Sequence, residues 1–135
     1  MKPPVDHVRV SKRGRDQLAK IRRVTGIENW NIICRWAFCA SLRESAVPPS
    51  AGQEGDTAVE LSWRTFAGEH SDVYIAAHLF RYEADRKHGE KSDLAENFRR
   101  HLYRGLNYLD ARLETVDGHE LIGSLIGLKT RPAAK

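Results

Sequence analysis

The sequence predicts a mainly α-helical fold: one compact domain over residues 1–135 with a few short β-strands and a ribbon-helix-helix-like order at its N-terminus. Three observations predict it. Gly26 to Leu42 is apolar nearly without pause. Two later segments carry apolar residues at helical spacing of three and four. Strand-like alternation is confined to two short stretches, around Val8 and Val59.

Residues 1–6, with Pro3-Pro4, are expected to be loose. Val8 and Val10 alternate with His7, Arg9 and Ser11, which predicts a short strand. Ser11 or Gly14 leads into a helix from about Arg15 to Val24, with Leu18 and Ile21 inward. Thr25-Gly26 ends it, because glycine tolerates the left-handed conformation at a helix C-terminus. The central helix follows, with Asn29 or Asn31 as its cap. Ile32, Trp36 and Ala40 lie on one face, and Cys34, Phe38 and Leu42 form a second apolar line. Such a helix cannot face water, so it is either the core rod or the seam of an oligomer. Trp36 is expected in the core and Trp30 in a subunit interface.

Residues 47–56 form a loop by composition. Val59, Leu61 and Trp63 alternate with Glu60, Ser62 and Arg64, which predicts a second strand. Phe66 to His70 turns the chain into a helix capped by Ser71, with Val73, Ala77, Phe80 and Ala84 as its stripe, stopped by Gly89. Asp93, with Glu96 at capping-box spacing, starts a last long helix. Its buried stripe is Leu94, Phe98, Leu102, Leu106, Leu109 and Leu113, with Arg99, Arg100 and Arg104 on the wetter side. Asp117-Gly118 is a turn, 121–128 is a short apolar helix or docking segment, and 129–135 is loose.

The composition is that of a soluble globular chain, with 41% hydrophobic and 30% charged residues. No apolar run reaches membrane-spanning length, so no membrane partner is expected and the cytoplasm is the simplest compartment. Cys34 and Cys39 fall on different faces of one helix, which predicts two buried free thiols. The sequence leans away from an enzyme. It contains no P-loop, no dinucleotide-binding glycine pattern, no GxSxG and no HExxH. Its six histidines lack ligand spacing, so no metal and no cofactor are expected. His78 reads as a satisfied, partly buried histidine.

Charge points to a partner. The net charge is +4, yet residues 1–44 alone carry +6. The excess is concentrated in Arg9, Lys12, Arg13, Arg15, Lys20, Arg22 and Arg23, beside a single acid, Asp16. Such asymmetry predicts a polyanion, nucleic acid first. Few Asn or Gln accompany these cations, which favours contact with the phosphate backbone over base reading.

The order of a short basic strand, a basic helix, Thr25-Gly26-Ile27, Asn31–Leu42, a proline-rich loop and Thr65-Phe66-Ala67-Gly68-Glu69-His70 resembles the DndE family of the bacterial DNA phosphorothioate modification system. The resemblance runs from about Val8 to Leu109. Its most specific parts are the CRxAxxxSL-like pattern at Cys34–Leu42 and the GEH turn. It implies a non-catalytic DNA-binding component that self-associates and prefers nicked double-stranded DNA. Lysine and arginine would make the contact, alongside a cysteine desulfurase, an iron–sulfur partner and the other proteins of the system. Sulfur there replaces a non-bridging oxygen of the DNA backbone. A second reading belongs to another class: a ribbon-helix-helix transcriptional regulator, with His7, Arg9 and Ser11 reading bases from a strand paired across a dimer. A nicking nuclease would need a metal cluster or nucleophile that the sequence does not offer.

Overall fold

The structure is a computed structural model that describes residues 1–50 and 55–114. In chain order the elements are β1 (His7–Ser11), α1 (Lys12–Thr25), α2 (Trp30–Leu42), β2 (Thr57–Ser62), α3 (Trp63–Ala67), a 3-10 turn at Gly68–His70, α4 (Ser71–Lys87) and α5 (Leu94–Arg112). The fold is mainly α with one two-stranded sheet, as the sequence predicts.

β1 runs straight into α1. Val8 and Val10 point inward and are buried. The Ser11 side chain then accepts from the Gly14 N–H at 3.2 Å, which starts the helix three residues earlier than the apolar spacing alone indicates. Gly26, at φ 78°, closes α1 with its N–H on the Arg22 carbonyl. β1 pairs antiparallel with β2 of the same chain, with His7 opposite Ser62 and Arg9 opposite Glu60. In a ribbon-helix-helix dimer that strand pairs with its own copy. Residues 1–6 are not wholly loose. Val5 packs on the core, and the Asp6 carbonyl accepts from the Trp63 N–H at 2.8 Å.

α2 is the core rod. Ile33, Cys34, Ala37 and Phe38 are fully buried, and α1, α3 and α5 cover them within one chain. α5 lies closest, because Gly105 lets its backbone approach the Ala37 carbonyl. Phe38 centres an aromatic cluster, with ring centroids 5.0 Å from Phe98 and 6.0 Å from Phe66. Trp30 and Trp36 are half-buried at the edge of this core.

Several expectations are corrected. Trp63 does not extend β2; Ser62 caps Thr65 and Trp63 begins α3, buried against Phe66 and Phe98. Ser71 does not cap α4; its hydroxyl accepts from the Trp63 indole N–H instead. Cys39 is exposed, and only Cys34 is buried. Leu94 lies at the surface, one turn beyond the reach of the core, while Phe98, Leu102, Leu106 and Leu109 are buried as predicted. Asp93 caps α5 through the Glu96 N–H. The largest departure is α4. Its apolar stripe faces away from the core: Phe80 is 82% and Val73 62% exposed. Ile75, His78, Tyr82 and Asp85 point inward: Ile75 joins the apolar core, Asn97 and His101 of α5 satisfy His78 and Asp85, and the Tyr82 hydroxyl donates to the Ser92 carbonyl. The turn at 117–118, the segment 121–128 and the residues after 128 lie outside the described residues. No helix of the described residues is long and apolar enough to cross a membrane.

Candidate nucleic-acid interface

Six of the seven predicted cations lie on α1, and Arg9 precedes them on β1. Gly14, Gln17, Leu18 and Ile21 are the buried side of α1. At roughly 100° per residue, Lys12 and Arg23 fall at the middle of the opposite, solvent-facing arc, beside Asp16. Arg15 and Arg22, seven residues apart, share one flank. Arg13 and Lys20, also seven apart, share the other, which looks toward α5.

Their electrostatic states differ. The Arg9 Nε lies 2.8 Å from Glu60 Oε2, a cross-strand pair that the sheet register dictates. Arg9 holds the Glu60 carboxyl below its usual range. Lys20 sits 2.9 Å from Asp110 and 3.1 Å from Glu114, and the hydrogen bond to Asp110 is the largest cause of its raised pKa. Arg15 lies 3.8 Å from its neighbour Asp16. The Arg22 guanidinium sits over the Trp30 ring, 5.1 Å from its centroid. Trp30 thus finds a partner inside the chain. Lys12, Arg13 and Arg23 are exposed and make no ion pair with the described residues.

The first turn of α1 has no acid. It carries Lys12 and Arg13 at the positive end of the helix dipole, where cations are disfavoured and anions favoured. An approaching phosphate would meet these two side chains, then Arg15, and then Arg22 and Arg23 at the other end of the helix. Fourteen residues at about 1.5 Å each make that face about 20 Å long, enough to follow several phosphates of one strand.

A second polar assembly escaped the sequence reading. Ser41, His78, Asp85, Asn97 and His101 are all buried. The Ser41 hydroxyl lies 2.8 Å from His101 Nδ1, and His101 Nε2 lies 2.8 Å from Asp85 Oδ2. Asn97 Nδ2 donates to the same Asp85 oxygen, and His78 Nε2 lies 2.9 Å from Asn97 Oδ1. Arg81 and Arg104 close the network. Arg81 pairs with Asp85 at 2.8 Å and Arg104 Nε donates to the Ser41 hydroxyl. Both guanidinium groups also donate to the Ala46 carbonyl, fixing the chain as it leaves α2.

The order Ser–His–Asp invites comparison with a nucleophilic triad. Ser41 has no exposed surface, however, and its oxygen already accepts from Arg104. A hydroxyl so placed cannot meet a substrate, so the assembly holds α2, α4 and α5 together. Burial pushes the His101 imidazole down to about 4, so it is neutral, and the geometry assigns its proton to Nε2, facing Asp85. The sequence did hold a signal: polar residues at 78, 81 and 85 on α4 and at 97, 101 and 104 on α5 repeat at three and four. His78 is satisfied, as predicted, but fully buried.

The family model for the DNA sulphur modification protein DndE matches residues 7–117, most of the 135-residue chain. No curated protein matches it. The match spans β1, the basic helix, the α2 rod and the whole of α5, and on it the chain belongs to the DndE family, whose role is in DNA sulphur modification.

Proposed function

We propose that the chain is the DNA-holding component of the sulphur-modification machinery. It grips the phosphate backbone of duplex DNA, with nicked duplex preferred, while other proteins of the system carry out the sulfur chemistry. The observation that carries this reading is the acid-free first turn of α1, with Lys12 and Arg13 at the positive helix end and Arg23 farther along the same exposed face. Two cations against a helix dipole are a standing electrostatic cost that a bound phosphate offsets. Arg15 and Arg22 extend the surface on one flank. Arg9 and Lys20 contribute to the surrounding field, since each already has a carboxylate partner.

The test is binding of the full chain to intact and nicked duplexes of unrelated sequence, across a salt series. Tighter binding to nicked duplex, a steep salt dependence and indifference to sequence are expected. Reversing Lys12, Arg13 and Arg23 to glutamate together should abolish binding with the circular dichroism spectrum unchanged. Unaltered affinity in that variant overturns the assignment. A strong sequence preference would overturn the backbone-holding reading as well.

A further inference from the structure

We propose that the open edge of β1 takes an extended, acidic segment of another protein as a third strand. The sheet has two strands, so one edge of β1 is unpaired. The register says which groups stand there. The Trp63 N–H bonds the Asp6 carbonyl, and hydrogen-bonded pairs alternate along an antiparallel ladder. Val8 and Val10 therefore bond to β2, while the N–H and C=O groups of His7 and Arg9 point the other way. Among the described residues their one partner is the Tyr103 hydroxyl, a long 3.4 Å donor to the Arg9 carbonyl that leaves its second lone pair open. A row of unpaired backbone groups is a template for a further strand.

The space beside that edge suits a chain. A groove of about 740 Å³ lies between β1 and the first half of α5. Side chains alternate along a strand, so a groove on one face meets only every second residue. All five residues of β1 line this one, which makes its wall the backbone edge. Charge identifies the occupant. Arg9 and Arg99 both line the groove and are exposed. Each spends one nitrogen on a glutamate, Arg9 on Glu60 and Arg99 on Glu96, and keeps further donors for an incoming carboxylate. A second copy does not match this edge. Its β1, laid antiparallel, would set His7 and Arg9 against the His7 and Arg9 already there, cation on cation. A phosphate strand matches it less well than a peptide. Phosphate only accepts hydrogen bonds, whereas the edge offers carbonyls as well as N–H groups, and Asp6 and Glu96 add carboxylates to the lining. A peptide backbone supplies both donors and acceptors, and one acidic side chain supplies the charge.

This inference does not depend on DNA binding. Its test is solution NMR of the full, isotope-labelled chain, titrated to millimolar concentration with a blocked pentapeptide of sequence threonine-valine-glutamate-valine-threonine. The His7 and Arg9 amides are expected to exchange readily in the free chain, and to shift and become protected as the peptide saturates. Lysine in place of the central glutamate should weaken binding about tenfold, and N-methylation of every peptide amide should abolish it. Arg99→Glu should weaken binding of the glutamate peptide and recover that of the lysine peptide, with an unchanged circular dichroism spectrum. No shift at these amides overturns the proposal, and so does equal binding of the N-methylated peptide. A short DNA duplex that moves the same amides when the peptide does not would give the groove to nucleic acid. Amides already protected in the free chain would give the edge to the chain's own residues, and protection that rises with protein concentration would give it to a second copy. Each of these three results overturns it as well.

Discussion

Gly105 of α5 meets the backbone of Ala37 on α2 so closely that an added β-carbon would overlap the Ala37 carbonyl. Glycine inside a helix ordinarily costs about 1 kcal/mol relative to alanine. Here the contact reverses the sign. Gly105→Ala is expected to destabilise the fold by about 3 kcal/mol, because two backbones cannot separate without opening the core around Phe38. Urea denaturation measures it. A neutral or stabilising substitution would show that α2 and α5 are farther apart than described.

The buried imidazoles predict an acid-side loss of stability. His101 is held neutral, with its pKa lowered from 6.5 to about 4, mainly by burial, and His78 is lowered for the same first reason. Below pH 6.5 the unfolded chain takes up protons that the native chain refuses, so stability falls as pH drops toward 4 and is flat above 6.5. His101 alone accounts for about 3 kcal/mol over that window. Asp85 also has a lowered pKa, because Arg81, Asn97 and His101 bond to its charged form against the cost of burial, so its contribution fades at still lower pH. His101→Gln should flatten the pH 4–6.5 slope and leave only the share of His78. A slope unchanged by that substitution would contradict the assignment.

What the sequence made legible was whatever a single periodicity governs. The α2 rod, the capped α5 and the Gly26 stop all rest on local signals, and each stands where expected. Element boundaries moved where a cap competed with alternation, as when Ser62 turned Trp63 out of β2. α4 failed for a deeper reason. Apolar periodicity reports the face that avoids water, but not whether this chain or another one covers it. The inward face of α4 is polar because α5 presents Asn97 and His101 to it, a match that no one-helix pattern contains. The cations of β1 and α1 were legible as a cluster. Their division into free and paired groups was not, because Glu60, Asp110 and Glu114 approach them from distant parts of the chain.

The two thiols should separate cleanly. Burial pushes Cys34 up to about 12, and it has no exposed surface. Cys39 is exposed, though partial burial of its sulfur also raises its pKa. An aromatic disulfide reagent at neutral pH should titrate one thiol in the native chain, slowly, because little thiolate is present. It should titrate both after denaturation. Cys39→Ser should abolish the native reaction; two native equivalents would mean that α2 is not the covered rod described.

Lys12 and Lys20 stand on the same helix with the same charge, yet they should behave differently toward DNA. Lys20 is already neutralised by Asp110 and Glu114, so engaging a phosphate means giving up two carboxylate partners for one anion. Lys12 has no such partner among the described residues. Each lysine or arginine that neutralises a phosphate contributes about 0.9 to the log–log salt slope. Lys12→Ala, Arg13→Ala and Arg23→Ala should therefore each lower that slope by about one, while Lys20→Ala leaves it unchanged. Salt titration of binding to a nicked duplex reads the difference directly. An equal drop for Lys20→Ala would mean that its carboxylate partners let go on binding, and that the α5 flank of α1 belongs to the grip as well.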